Sequence, residues 1–307
     1  MDETEATADE ARRCGFIALI GAPNVGKSTL INALVGTKVT IVSHKVQTTR
    51  TLLRGIATEG NAQLVFIDTP GIFQPRRRLD RAMVKGAWAG AGDADIVGVL
   101  LDAERGLDPQ TEAIIAQVAE LERRKILIVN KIDLVAKPSL LALVQKVSER
   151  GAFAATFLVC ALGGDGVADL KGWLAAQAPL GPWHYPQDQV MDAPLRQLAA
   201  EITREKLYLR LHQELPYQST VETTAWKELK DGSVRIEQTI YVERESQRKI
   251  VLGKGGATIK SIGAQAREEI GEIVGQPVHL FLFVKVRENW GEDPDRYREM
   301  GLEFPRE

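Results

Sequence analysis

The sequence predicts an α/β domain with a mixed, mostly parallel sheet covered by helices on both faces, followed by a smaller α+β domain. Three observations predict it. From about residue 15 to 175, short apolar runs alternate with amphipathic stretches, the pattern of strands joined by crossover helices. The composition then breaks at "APLGPWHYPQD", Ala178 to Asp188, where three prolines and a glycine forbid a continuing helix. Beyond that point the order of elements changes to helix, two strands, two helices and a strand.

In the first part the strand-like runs are "GFIALI", "LLRGIAT", "AQLVFID", "DIVGVLLD", "KILIVNK" and "TFLVC". Pro109–Arg123 and Ser139–Glu149 have helical periodicity between them. Only Glu59, Gly60 and Asn61 separate the second run from the third. That allows a hairpin but no crossover helix, so one strand is expected to be antiparallel. In the second part a long helix is expected over Ala193–Gln213, with extended runs Gln218–Leu229 and Val234–Glu243. Two helices around a glycine cluster and a strand, "PVHLFLFVKV", complete it. The expected division is a tail over 1–12, a first domain over 13–177, a linker over 178–192, a second domain over 193–290 and a C-terminal tail over 291–307.

Bulk properties set limits on function. With 307 residues, 44% apolar and 26% charged, the chain can bury two ordinary cores. Met1 to Glu10 carries five acids and no Lys or Arg, so it reads as a solvated tail without the basic start of a signal peptide. No apolar run approaches the ~18 residues of a membrane span. Two cysteines, Cys14 and Cys160, are expected as thiols in a reducing compartment, which makes the cytoplasm the default.

The chemistry is concentrated in three loops. "GAPNVGKST" fits G-x-x-x-x-G-K-[ST] between a strand and a helix. Its glycines let backbone N–H groups close around phosphate at a helix N-terminus. Gly21, Ala22, Pro23, Asn24, Val25, Gly26, Lys27, Ser28 and Thr29 are the candidate phosphate-binding residues, with Lys27 reaching the β- and γ-phosphates and Ser28 binding Mg²⁺. "DTPGI", Asp68, Thr69, Pro70, Gly71 and Ile72, follows the third strand and is the expected γ-phosphate sensor, with Asp68 reaching the metal through water. "NKID" follows the fifth strand at its carboxyl end, where such sheets bind ligands. A carboxylate at Asp133 can accept two hydrogen bonds from guanine N1–H and the 2-amino group, a donor pair adenine lacks. Asn130 is expected to brace that loop and Lys131 to lie over the base.

Together these motifs resemble those of the translation-factor-related GTPases. The resemblance implies a switch threonine in "QTTR", Thr48 or Thr49, of which Thr49 is the favoured Mg²⁺ ligand. It also implies a fifth motif at Cys160, Ala161 and Leu162, with cysteine replacing the usual serine and the Ala161 N–H facing the guanine oxygen. Many such enzymes place a water-orienting glutamine after the switch glycine. Ile72 cannot orient water, so slow intrinsic hydrolysis of GTP to GDP and phosphate is expected. Similar enzymes with an apolar residue there hold a potassium ion partly through a P-loop asparagine, and Asn24 occupies that place. A monovalent cation would neutralise developing charge as an arginine does.

The second glycine cluster, Gly253-Lys254-Gly255-Gly256, fits the G-x-x-G loop with which KH domains clamp about four nucleotides. "GGDG" at Gly163–Gly166 fits it too but opens a helix after the fifth motif. From Ser246 to Arg267 the chain has five basic residues and no acid. Arg248, Lys249, Ile250, Gly253, Lys254, Gly255, Gly256, Ile259 and Lys260 are therefore the candidate RNA-binding residues, with Ile250, Val251, Ile259 and Ile262 flanking the glycines as a groove. The element order resembles the type II KH fold. A TrmE-Era-EngA-like GTPase domain followed by such a fold resembles the Era family of bacterial ribosome-assembly GTPases. Lys254-Gly255 replaces that family's more usual Asn-Lys pair. The resemblance implies binding to 16S rRNA near its 3′ end, a role in small-subunit maturation, no DNA partner, and peripheral contact with the cytoplasmic face of the inner membrane.

Two other classes fit parts of the chain. An RNA-binding scaffold with a merely structural nucleotide site is disfavoured by intact Lys27, Ser28 and Asp68. A P-loop kinase is disfavoured by Asp133 and by the lack of an acceptor lid.

Overall fold

In the computed structural model, residues 12–45, 48–211 and 215–305 are described. Most of the expected N-terminal tail, and Gln47 of "QTTR", lie outside them. The chain forms two compact units. The first comprises Met1–Thr40, Thr49–Asp192 and Met300–Glu307, the second Ile41–Thr48 and Ala193–Glu299.

The first unit contains β1 (Arg13–Ile20), α1 (Lys27–Val35), β2 (Leu53–Glu59), β3 (Ala62–Asp68), α2 (Arg78–Asp93), β4 (Ile96–Asp102), α3 (Pro109–Ala119), β5 (Arg124–Asn130), α4 (Lys137–Ser148), β6 (Ala155–Val159) and α5 (Val167–Gln177). Its six strands run in the order β2-β3-β1-β4-β5-β6. The β2–β3 hairpin is antiparallel, as its short connection demands, and the other pairs are parallel. Every residue of β3 and β4 is buried, the signature of a sheet covered on both faces. The parallel strands bring their carboxyl ends, and the loops that follow, to one edge.

Local chemistry starts the helices at that edge. Gly26 takes φ 97° to turn the chain into α1, and Gly36 ends the helix at φ 86°. Asp108 caps α3 by accepting from Thr111 N at 2.7 Å, with Pro109 in the first turn. Residues 178–192, expected as a linker, pack on the first unit. Ile56 N donates to Val190 O and Asp192 N to Arg54 O, which covers the outer edge of β2.

The second unit contains α6 (Leu195–Arg210), β7 (Ser219–Glu228), β8 (Val234–Val242), α7 (Glu245–Leu252), α8 (Ala257–Val274), β9 (Val278–Val286) and α9 (Pro294–Glu299). The sheet order is β7-β8-β9, with β7–β8 antiparallel and β8–β9 parallel. Its core joins Leu207, Leu211, Ile240, Val242, Val251 and Ile262. The stretch expected as a C-terminal tail contains buried side chains: Tyr297 is 1% exposed, and Trp290 just before it 3%. Trp290 is fixed by donating Nε1–H to Gln218 O, a partner 72 residues away. Among the described residues no helix is long and apolar enough to cross a membrane.

Candidate functional site

The loop between β1 and α1 is shaped by close backbone approach. A Cβ on Gly21 would lie 2.5 Å from Leu100 O, and one on Gly26 would lie 2.2 Å from Asn130 Nδ2. Asn24, at φ 65°, is one of three described non-glycine residues in the left-handed region. Lys27 is buried, and its Nζ donates to Gly21 O at 3.1 Å and Ala22 O at 3.0 Å. Burial pulls its pKa down to about 8, partly opposed by the charge of Asp68.

Three oxygen-bearing side chains meet beside it. Ser28 Oγ lies 3.0 Å from Asp68 Oδ2 and 3.1 Å from Thr49 Oγ1, and Thr49 Oγ1 lies 3.3 Å from the same carboxylate oxygen. Asp68 is fully buried at the end of β3. Hard oxygen donors converging at a P-loop fit Mg²⁺. Thr48 points elsewhere: its Oγ1 is 2.6 Å from Ser43 Oγ and donates to Lys45 O at 2.7 Å, within the second unit.

After Asp68 the chain passes close under the P-loop. A Cβ on Gly71 would lie 2.8 Å from Pro23 Cα. Ile72 is 8% exposed and joins the hydrophobic core, in one cluster with Ala22 and Val25. Its N–H donates to Gly21 O at 3.0 Å, and its carbonyl accepts from Gln110 Nε2 at 2.7 Å.

Asn130 ties the loops together. Its Nδ2 donates to Val25 O at 2.8 Å, and its Oδ1 accepts from Ala161 N at 3.0 Å. The Ala161 N–H, expected to face the guanine oxygen, is thus committed to Asn130, because the fifth loop folds back onto that amide. Lys131 pairs through Nζ with Asp102 Oδ2 at 2.6 Å, and Asp133 is exposed. The Cys160 thiol is pushed up first by its hydrogen bond to Asp133, against the pull of Gly163 N, which donates to Sγ at 3.3 Å. Leu162 is 90% exposed. Sequence reasoning missed Asp102, Arg105, Asp108 and Gln110. Their position at or just after the end of the buried strand β4, at the carboxyl edge, was the available signal.

In the second unit, Gly253, Gly255 and Gly256 all have positive φ between α7 and α8. A Cβ on Gly253 would lie 2.2 Å from Thr258 Oγ1, whereas one on Gly255 meets nothing within 4 Å. Lys249, Lys254 and Lys260 are exposed, as is Ile250 at 56%. Arg248 pairs with Glu245 at 2.9 Å. Ile259 is half-buried, while Val251 and Ile262 are fully buried. The expected four-residue apolar groove is therefore reduced, because the inward faces of α7 and α8 are needed for the core.

These two units define a guanine-nucleotide-type P-loop protein carrying a KH domain. Family comparison agrees with each half: residues 16–131 match the 50S ribosome-binding GTPase family and residues 214–291 the KH domain family. The chain is 70% identical over 305 residues to GTPase Era of Bradyrhizobium sp. (strain BTAi1 / ATCC BAA-1182), covering 99% of each. It is 64% identical to GTPase Era of Brucella suis biovar 1 (strain 1330), covering 99% of this chain and 96% of that one. The crystal structure of Era with MgGDPNP and nucleotides 1506–1542 of 16S ribosomal RNA superposes with a TM-score of 0.89 at 36% identity, over 94% of this chain and 99% of that one. A single-substitution variant of Aquifex aeolicus Era bound to GDP·AlF4⁻ gives 0.89 at 35%, over the same shares. The chain belongs to the Era family of GTPases.

Proposed function

We propose that the protein is a GTP-driven switch that binds 16S rRNA near its 3′ end through its KH domain and assists small-subunit maturation. The observation that carries this reading is the likeness over 94% of the chain to an Era that holds both MgGDPNP and that RNA. The convergence of Ser28, Thr49 and Asp68 supports Mg²⁺ at the phosphates. Bound there, the metal supplies neutralising charge to the β- and γ-oxygens. The P-loop N–H groups bind phosphate, and Lys27 turns from its two carbonyls to the β- and γ-oxygens. Asp133 selects guanine. Thr49 and Gly71 respond to the γ-phosphate, and their release on hydrolysis is the switching event.

With Ile72 in the core, no side chain at that position orients water, which supports a slow intrinsic rate. Asn24 is the residue for a K⁺ that would raise it; equal rates in K⁺ and Na⁺, unaffected by Asn24→Ala, would exclude that role. At the KH loop, Gly253–Gly256 admit the RNA backbone while Arg248, Lys249, Lys254 and Lys260 supply charge and Ile250 and Ile259 contact bases. Cytoplasmic residence with peripheral contact at the inner membrane is the accompanying expectation, tested by flotation with anionic vesicles. The central experiment is cross-linking in cells and sequencing of bound RNA, for wild type and a Gly253→Asp, Gly256→Asp variant. Reads on the 3′ end of small-subunit rRNA that vanish in the variant support the reading. Dispersed reads that survive the variant overturn it.

A further inference from the structure

Arg105, four residues before the start of α3, lies outside all the nucleotide motifs, yet it touches the P-loop. Its Nη1 donates to Pro23 O at 3.1 Å and its Nη2 to Asp108 Oδ2 at 2.6 Å. Asp108 is itself held, because its other oxygen caps α3 through Thr111 N. The guanidinium is therefore anchored at one end to a helix cap and grips, at the other, a carbonyl at the tip of the phosphate loop.

The grip has a direction. The Pro23 carbonyl and the Asn24 N–H belong to one planar trans peptide, so they point to opposite sides of it. Asn24 is at φ 65°, a conformation that costs a non-glycine residue about 1 kcal/mol or more and is relieved if the peptide rotates. Pro23 has no N–H of its own with which to brace the turn, and its Cα is pressed against the bare face of Gly71. A charge-assisted hydrogen bond on the carbonyl opposes that rotation. Holding that carbonyl outward keeps the Asn24 N–H directed into the loop, where P-loop amides face phosphate.

We propose that Arg105 is a positioning residue for GTP hydrolysis: by holding the Pro23 carbonyl it fixes the Asn24 N–H toward the phosphates. This rests on the GTPase reading above and deepens it. A donor pre-aimed at oxygens that gain charge in the transition state contributes more there than in the ground state. Arg105 acts from the carbonyl side of the loop, so it does its work without touching nucleotide. α3 also holds the next segment, since Gln110 Nε2 binds Ile72 O. The first turns of this helix thus brace the P-loop tip and the chain after Gly71 together.

The test uses the full chain in KCl and Mg²⁺, and compares wild type with Arg105→Ala, Arg105→Lys and Asp108→Asn. Asparagine caps a helix as well as aspartate does but lacks the charge that anchors the guanidinium. Single-turnover hydrolysis and GTP and GDP affinities are read for each. Arg105→Ala is expected to lower the rate by about 10- to 100-fold, below the full loss of an oxyanion donor, while both affinities stay within about threefold. Arg105→Lys recovers much of the rate, because an ammonium can hold one carbonyl. Asp108→Asn falls between wild type and Arg105→Ala. A rate within twofold of wild type for Arg105→Ala overturns the inference. So does a parallel loss of rate and affinity, which marks general support, and so does a lysine variant as slow as alanine, because a single cationic donor on the Pro23 carbonyl is all the inference requires. Wild-type protein that binds GTP without hydrolysing it would instead strike the GTPase reading itself, and this inference with it.

Discussion

Replacing Asn130 with alanine should detach the phosphate loop from the guanine loop. Asn130 is 2% exposed, and its amide joins Val25 O to Ala161 N at 2.8 and 3.0 Å. Alanine removes both partners and leaves two buried backbone groups, since Val25 is 2% and Ala161 6% exposed. Each unpaired group costs about 1–3 kcal/mol. Water entering the vacated polar space would recover part of this, so the expected loss is about 2–4 kcal/mol. Urea denaturation should show it as a lower midpoint at unchanged slope. GDP affinity should fall by at least about tenfold, because both loops that contact nucleotide lose their brace. The pair with Gly26 sharpens the test. A Cβ at Gly26 would lie 2.2 Å from the Asn130 amide nitrogen, so Gly26→Ala should cost less in the Asn130→Ala background than in wild type. A stability loss below about 0.5 kcal/mol, with unchanged GDP affinity and additive effects, would refute the bridging argument.

Asp133→Asn should shift preference from GTP toward XTP in competition binding, and persistence of GTP preference would remove Asp133 from base recognition. Lys27 gives a pH signature in nucleotide-free protein. Its folded pKa of about 8 lies below the unfolded value of 10.5, so between those values the unfolded chain binds more protons and stability rises with pH. Wild type should gain about 2 kcal/mol relative to Lys27→Met between pH 8 and 10, measured by denaturation, and saturating GDP should abolish the difference. In the KH loop, Gly253→Ala must push aside Thr258 whereas Gly255→Ala meets open space. Gly255 lies in the left-handed region (φ 61°, ψ 20°), where alanine costs about 1 kcal/mol, whereas Gly253 (φ 71°, ψ 174°) lies where side chains are almost excluded, so the Gly253 variant should melt at the lower temperature.

The mixed sheet, its antiparallel hairpin and the order of elements in the second unit were legible because each rests on local pattern: alternating apolar runs, a three-residue connection, glycines beside basic residues. The three candidate nucleotide loops were legible as short motifs that each follow a strand, and the structure links them through Asn130 and through Ser28 and Asp68. Helix α2 was not singled out, since "QPRRRLDRAMVKG" opens with charge and without a strong cap. Val251 and Ile262 looked like groove residues, and only the packing of α7 and α8 shows them turned into the core. Tyr297 sits in a segment whose Gly, Asp and Pro read as tail, and nothing local encodes the distant carbonyl that anchors Trp290 just before it.

By itself, then, the sequence determined which chemical groups are present and on which kind of element each one sits. Strand, helix and loop preferences act over a few residues, and the phosphate and guanine motifs are short enough to be read whole. The tertiary structure decided how those groups are spent. It set Thr49 rather than Thr48 beside Ser28 and Asp68, gave the Ala161 N–H to Asn130, and brought Arg105 to a P-loop carbonyl 82 residues earlier. Each of these is a pairing between loops far apart in the chain. Such pairings exist only once parallel strands have set their carboxyl ends side by side, and no local preference encodes that arrangement.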